Sequence, residues 1–297
     1  MVADEMHDAS LDSKEHIEDA RINSDTPTAP DFARDMAISA DLNRLRSAGS
    51  IMMTPEMFER LYLQPQGPVK GDLRKTFGNP TPLALVGFVI ALTPLSCNLM
   101  GWRGSGGLGA ANIGVFYFIG GPCMMIGGFL EFLLGNTFSF VVFMFYGGIF
   151  LGWAATLHPY YNSAGAYSPT ASYAEGLTEP SFYASLAFWP MAAGILTLYF
   201  MICAVRINAV FFMVFFTIAL GFELLAGAFW EFGNGDMDSY NDLLQGGGGC
   251  WFAASILGWY LLLIQLLDAS GFTWKLPVGD FSKYWDSKRP QLAQAEV

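Results

Sequence analysis

The sequence carries very little charge beyond its first quarter. Charged residues make up 14% of the chain, whereas a soluble domain usually carries about 25%. Long stretches hold no Asp, Glu, Lys or Arg, among them Thr76 to Trp102, Gly104 to Leu130, Pro180 to Val205 and Leu243 to Leu267. Each exceeds the roughly 20 residues with which a helix crosses about 30 Å of hydrocarbon. The chain is therefore predicted to be an integral membrane protein.

Other absences exclude whole classes of function. There is no basic patch for nucleic acid, and the net charge of −11 comes largely from the N-terminal segment and the loops. The N-terminus lacks the apolar core of a signal peptide, so the first spanning helix is expected to act as the insertion signal. The 3 histidines and 4 cysteines fit no metal site, and no catalytic motif appears. We expect no enzyme activity, no cofactor and no metal.

What is present predicts an all-α integral membrane protein with six transmembrane helices. Their expected bounds are Thr81–Trp102, Ala111–Leu134, Phe138–Leu157, Phe182–Ala204, Asn208–Phe232 and Gly247–Leu267. The segment before the sixth helix, which carries Asp236, Asp238 and Asp242 and then a run of four glycines, is interpreted as a loop.

The ends of the chain are predicted to be cytoplasmic tails. Residues 1–76 have the composition of a largely disordered acidic tail, with a short amphipathic helix near residues 55–63, and residues 273–297 form the second tail. Residues 77–272 form the transmembrane domain. Basic residues flanking the spans lie mostly on the side of the N-terminus, and Arg103 alone lies on the other. This bias places both termini in the cytoplasm.

Two carboxyl groups and two small-residue pairs stand out inside the predicted spans. Glu131, near the end of the second helix, either reaches the interface, serves a structural role or relays protons. Glu223, halfway along the fifth, is expected to face a cavity or a partner, as a proton relay or a hydrogen-bonded structural carboxyl. The pairs Gly148/Gly152 and Ala254/Gly258 predict close helix contacts.

Two motifs resemble the acetate uptake transporter family, also called the succinate–acetate permeases. The first is Asn79-Pro80-Thr81-Pro82-Leu83-Ala84-Leu85, similar to the family's N-P-[AV]-P-L-G-L. The second is Gly135-Asn136-Thr137-Phe138, similar to its G-N-T-F, with Tyr146-Gly147-Gly148 following at the family's spacing. The resemblance covers roughly residues 77–280, and the long N-terminal tail is similar to that of the fungal members.

The resemblance implies a function and a set of site residues. Members have six spanning helices per protomer, form homo-oligomers (hexamers in bacteria) in the plasma membrane, and move acetate or related monocarboxylates, typically with protons. Phe88, Tyr146 and Ile218 correspond to residues that narrow the family's pore, and the Tyr146 hydroxyl would bind a carboxylate. The helix start at Asn79–Pro82 would offer free amides and a positive dipole end to the anionic substrate.

One departure from the family keeps other functions open. Between Phe138 and Tyr146 the family has mostly small and hydroxyl-bearing residues, whereas this chain has Ser139 followed by bulky apolar residues up to Phe145. The pore is therefore expected to be narrower, to select another acid or to be closed. Two alternatives follow: the same scaffold moves ammonium, ammonia or another small solute, or the protein senses acetate without transporting it.

Overall fold

A computed structural model describes residues 77–274 and 276–279 of the 297. The predicted N-terminal tail and its amphipathic helix near residues 55–63 lie outside these residues, as does most of the predicted C-terminal tail.

The described part is helical and contains six helices that are long and apolar enough to span a membrane. They are α1 (Thr81–Leu99), α2 (Gly107–Leu133), α3 (Thr137–Leu157), α4 (Pro180–Ala204), α5 (Ala209–Asn234) and α6 (Met237–Ala269). The mean hydropathy of their most apolar windows runs from 1.7 to 2.3. The predicted fold class and the number of spans are confirmed.

Two of the six helices are irregular, and shorter elements connect the rest. α2 begins with a 3₁₀ turn at Gly107–Asn112 and passes through a π-helical stretch at Phe116–Gly120 before its main segment, Gly121–Leu133. α4 is interrupted at Ala187, between Pro180–Leu186 and Phe188–Ala204. Short helical turns follow α1 at Trp102–Gly104 and lie in the α3–α4 connection at Ala164–Tyr167 and Tyr173–Gly176.

The start of α6 was predicted wrongly. The helix begins at Met237, ten residues before the predicted Gly247, and runs through the whole glycine run. Asp236 caps it, because its side chain accepts a hydrogen bond from the amide of Ser239 at 3.0 Å. The glycines serve close packing rather than a loop: a Cβ on Gly248 would lie 2.9 Å from Leu99 Cβ, and one on Gly247 would lie 3.1 Å from the Gly221 carbonyl oxygen.

The six helices form a ring. Neighbours pack in the order α3, α2, α1, α6, α5, α4. The last gap, between α4 and α3, is closed by large side chains: the rings of Phe138 and Phe200 lie 6.0 Å apart, and those of Phe145 and Phe200 lie 5.9 Å apart. The hydrophobic core therefore lies along the centre of the ring, where each helix turns its buried face.

The ring has two chemically different ends. Because successive spans run in opposite directions, α1, α3 and α5 start at the end where α2, α4 and α6 finish. We call this the motif end, since it carries both sequence motifs, and the other the opposite end. At the motif end the segment Leu276–Gly279 packs beneath the bundle: the Ala209 amide donates to the Gly279 carbonyl oxygen at 2.8 Å, and Val278 is buried.

Candidate solute pathway

A small cavity lies at the centre of the ring. Its volume is about 30 Å³, and a water needs roughly 10–15 Å³ of such space. The lining comes from four helices, namely α1 (Phe88, Leu92, Leu95), α3 (Tyr146, Ile149, Phe150), α5 (Ile218, Phe222) and α6 (Trp251). A cavity of this size with apolar walls resists wetting.

The three residues predicted to narrow the pore meet at this cavity. Phe88, Tyr146 and Ile218 come from three different helices, all three are buried, and each contributes to the lining. Sequence reasoning missed Trp251, whose indole N–H donates to the Ile218 carbonyl oxygen at 3.2 Å and whose ring packs edge-on against Phe222 at 5.0 Å. A second aromatic wall therefore faces Phe88 and Tyr146.

Glycine on α5 explains how Trp251 fits. A Cβ on Gly221 would lie 2.3 Å from Trp251 Cδ1, a distance that real Cβ contacts do not reach. Gly221 thus makes room for the indole between α5 and α6. In the sequence, the signal for this contact was an aromatic residue, Trp251, on one helix and a glycine, Gly221, on the helix before it. Hydrophobic periodicity alone does not reveal such a pair.

The hydroxyl of Tyr146 is already hydrogen-bonded. It lies 3.0 Å from Thr197 Oγ1 on α4, and Thr197 Oγ1 itself donates to the Ala193 carbonyl oxygen at 2.7 Å. Because the single Thr197 hydroxyl proton is used in that bond, Tyr146 must be the donor between the two hydroxyls. A carboxylate accepts hydrogen bonds only, so Tyr146 binds one only after releasing Thr197.

The bulky residues that distinguish this chain from the family pattern do not line the cavity. Phe143 packs beside Gly128 of α2, and Phe140 lies 5.1 Å, ring to ring, from Phe132. Phe145 packs against Phe200 of α4. None of residues 140–145 belongs to the lining. Phe140 and Phe143 thus fill contacts of α3 with α2 and Phe145 its contact with α4, whereas Val141 is exposed. The constriction is formed by other side chains.

The two sequence motifs meet at the buried carboxyl group of Glu131. Its two oxygens accept hydrogen bonds from the hydroxyl of Thr81, in the first motif, and from the side-chain amide of Asn136, in the second. The Asn136 backbone amide also donates to the Glu131 carbonyl oxygen at 2.8 Å. Glu131 is 0% exposed, so it does not reach the interface. It joins the start of α1 to the turn between α2 and α3, where Gly135 adopts φ 80°.

The start of α1 does not offer free amides to an anion. Asn79 Oδ1 accepts from the Thr81 amide at 3.0 Å, Pro80 and Pro82 have no N–H, and the amides of Leu83 and Ala84 bond to the Pro80 carbonyl oxygen at 3.1 and 3.4 Å. Every amide of the first turn is therefore used. The structure does not support the expected capture of an anion by backbone amides at this helix start.

Glu223 lies on the outer surface of the ring rather than in the cavity. Its side chain is exposed and rests on Gly194 of α4, where an added Cβ would sit 2.2 Å from Glu223 Oε1. Of the two positions expected for this carboxyl, facing a cavity or facing a partner, the first is wrong because the α5 residues that line the cavity, Ile218 and Phe222, lie on another face of the helix.

The opposite end of the ring is strongly acidic. Among the described residues it carries Glu175, Glu179, Glu231, Asp236, Asp238 and Asp242 against one cation, Arg103. Hydrogen bonds from the hydroxyls of Ser168 and Thr170 hold the pKa of Glu175 below its ordinary value, and the Ser239 amide and hydroxyl do the same for the pKa of Asp236. These two groups stay ionised when the solution becomes mildly acidic.

The described residues offer no obvious metal site. Within residues 77–274 and 276–279, no three His, Cys, Asp or Glu side chains converge on one point. The four cysteines are free and lie on separate helices.

Comparisons with known proteins agree with this architecture. A sequence profile described as the GPR1/FUN34/yaaH family matches residues 62–283. The chain belongs to the GPR1/FUN34/yaaH family. Protein alcS of Aspergillus fumigatus is 45% identical over 80% of this chain and 88% of its own length. Acetate permease A of Emericella nidulans is 30% identical over 70% of this chain and 67% of its own length.

A solved structure supports the fold of this GPR1/FUN34/yaaH member. The bacterial acetate channel SatP matches with a TM-score of 0.53 and 24% identity, covering 68% of this chain and 99% of its own. The predicted family is confirmed, and the chain is a multi-pass membrane protein. Two of these proteins are named as a permease and a channel, in agreement with the prediction that the chain is not an enzyme.

Proposed function

We propose that the protein is a transporter or channel for acetate or a related short-chain monocarboxylate, coupled to protons. The observation that carries the proposal is the apolar constriction formed by Phe88, Tyr146, Ile218 and Trp251 at the centre of the ring. Its position on the ring axis suits a path for a small solute. Two of the proteins that it resembles are named for acetate.

Proton coupling follows from the chemistry of the walls. Moving a carboxylate into apolar surroundings without a partner is very costly, whereas the neutral acid carries no charge to desolvate. A constriction lined by hydrocarbon and aromatic rings therefore passes the protonated acid more readily than the anion. The acidic opposite end also favours the protonated acid over the anion, because its field repels anions and concentrates protons.

The topology and assembly belong to the same proposal. The motif end faces the cytoplasm, as the distribution of basic residues in the sequence favours, and the acidic opposite end faces outward from the plasma membrane. The functional unit is a homo-oligomer, a hexamer if it follows the bacterial members of the family that it resembles.

Uptake of labelled acetate by the purified protein in liposomes tests the proposal, with and without an inward proton gradient. We expect saturable uptake that the gradient raises. Phe88→Ala should admit longer monocarboxylates, because it removes a wall of the constriction, whereas Phe216→Ala, at an exposed position on α5, should not. Uptake equal to that of protein-free liposomes would refute the proposal.

One observation favours a second solute. The acidic opposite end attracts cations, and aromatic walls such as those of Trp251 and Tyr146 interact favourably with ammonium groups. Ammonium or ammonia is therefore the alternative. Uptake of labelled methylammonium in the same liposomes distinguishes the two, since a monocarboxylate pathway should show none. Removal of residues 1–70 tests the third function considered: a carrier should keep its flux, whereas a non-transporting acetate sensor should lose its output.

A further inference from the structure

A layer of buried polar side chains lies between the constriction and the motif end. It consists of Thr81 on α1, Ser139 on α3 and Gln265 on α6, which are 0%, 7% and 6% exposed. The inner faces of these helices are otherwise mainly apolar. Polar residues at such positions need a reason, because burying them without full hydrogen bonding costs stability.

Each of the three residues lies on the same helix face as a residue that lines the constriction or packs against its wall. Thr81 precedes Phe88 by seven residues, and Ser139 precedes Tyr146 by seven. Gln265 follows Gly258 by seven, and a Cβ on Gly258 would lie 2.7 Å from the Phe88 ring. Seven residues make nearly two turns of helix, which returns the side chain to the same face about 10.5 Å further along.

The three residues also lie at one level of the ring. Gly258 opposite Phe88 and Gly248 opposite Leu99 set the antiparallel register of α6 on α1, and this register places Gln265 beside Thr81. The hydrogen bonds of Glu131 to Thr81 and Asn136 set α1 level with the start of α3, where Ser139 is located. The layer therefore stands about 10 Å from the constriction, on its motif side.

The side chain of Gln265 is not satisfied within the protein. Its Oε1 atom is buried and has no hydrogen-bond partner, an arrangement that native proteins rarely leave unexplained. An amide offers a donor as well as an acceptor, and the Ser139 hydroxyl offers another donor. Together they complement a carboxyl group, whose ionised form needs donors and whose neutral form needs one acceptor as well.

We infer that Gln265 and Ser139, with Thr81 beside them, bind the carboxyl group of the solute on the motif side of the constriction. This inference rests on the proposed function, because it assigns a binding site to that solute. Thr81 holds its place through Glu131, and the two residues with spare hydrogen-bonding capacity make the contact.

The test measures acetate uptake kinetics in liposomes for Ser139→Ala, Gln265→Met and Gln265→Glu. The matched control is Gln245→Met, which makes the same change on the same helix at an exposed position. Loss of one net hydrogen bond should raise the KM for acetate about threefold to tenfold in the first two variants, with the maximal rate little changed. Gln265→Glu should raise it further, since a carboxylate repels another.

The outcomes separate this inference from the proposed function. A raised KM in the three variants, with an unchanged KM in the control, supports binding of the carboxyl group by these residues. If the wild type takes up acetate and all variants have the same KM as the wild type, the binding role of these residues is refuted. The proposed function then still stands. If wild-type liposomes take up methylammonium instead, and Gln265→Glu lowers its KM, the proposed function and the assignment to a carboxyl group both fail. Thermal unfolding in detergent identifies any variant that fails to fold, and Ser139→Ala, the smallest change, then decides.

Discussion

At the scale of single residues, the ring and the hydroxyl of Tyr146 have different roles. Its ring forms part of the cavity wall, while its hydroxyl donates to Thr197 on the neighbouring helix. The ring therefore sets the width of the constriction, and the hydroxyl holds α3 to α4 across the gap in which large side chains replace close helix packing.

Tyr146→Phe tests this division. The variant keeps the ring and loses one buried hydrogen bond, so we expect uptake of acetate within about twofold of wild type and a stability loss of about 1 kcal/mol. Tyr146→Ala removes the wall and should admit longer monocarboxylates. Liposome uptake and thermal unfolding provide the two readouts. Loss of uptake in Tyr146→Phe would mean that the hydroxyl leaves Thr197 to bind the solute.

The sequence predicted site residues where a motif pointed to them. Phe88, Tyr146 and Ile218 were named through the resemblance to a family, and the structure brings them to one cavity. Trp251 and Phe222 were missed because an aromatic residue in an apolar helix is no different, by pattern, from one that faces lipid. The bridge through Glu131 was within reach: with six spans, the start of α1 and the end of α2 fall at the same end.

At the scale of helices, the contact between α6 and α1 controls the position of Phe88. A Cβ on Gly258 would lie 2.7 and 2.9 Å from two ring atoms of Phe88 and 2.9 Å from Val89 Cγ1. The helices approach this closely only because residue 258 has no side chain.

Gly258→Ala should therefore displace Phe88 and change the constriction. We expect a destabilisation of about 1–3 kcal/mol from overpacking, together with an altered preference among monocarboxylates of different length. Gly148→Ala provides the control, because nothing lies within 4 Å of its added Cβ, and its effect should stay within about 1 kcal/mol, towards stabilisation. Thermal unfolding of the two variants gives the comparison. Equal unfolding temperatures would show that α1 and α6 adjust without strain.

Sequence patterns predicted the helices better than their ends and contacts. Long apolar stretches marked all six spans, because lipid leaves a helix few other compositions. The first turns of α6 were missed, since acidic residues and four successive glycines are typical of a loop in water. In the structure three of these glycines pack against other helices, Gly246 and Gly247 on α5 and Gly248 on α1. This is a tertiary reason that local propensity does not contain. The predicted pair Gly148/Gly152 packs on no described helix.

At the scale of the whole molecule, Glu223 marks a face of the ring that is unsuited to lipid. It lies about 2 Å from the midpoint of α5 along the helix axis, it is exposed, and it makes no hydrogen bond to any described residue. An ionised carboxyl facing lipid at this depth costs about 2.5–3.5 kcal/mol. Contact with a second copy of the chain would remove it from lipid and supply a hydrogen-bond partner.

Glu223→Leu therefore tests where the copies of the proposed homo-oligomer meet. If α4 and α5 form the interface, the variant loses an interhelical hydrogen bond, and mass photometry in detergent should show a larger fraction of monomers than wild type. Glu223→Gln retains donors and acceptors and should assemble normally. Glu231→Leu makes the same substitution on the same helix, at its opposite end, and should leave assembly unchanged. An unaltered mass distribution for Glu223→Leu, combined with a higher unfolding temperature, would place this face against lipid and require Glu223 to be neutral there.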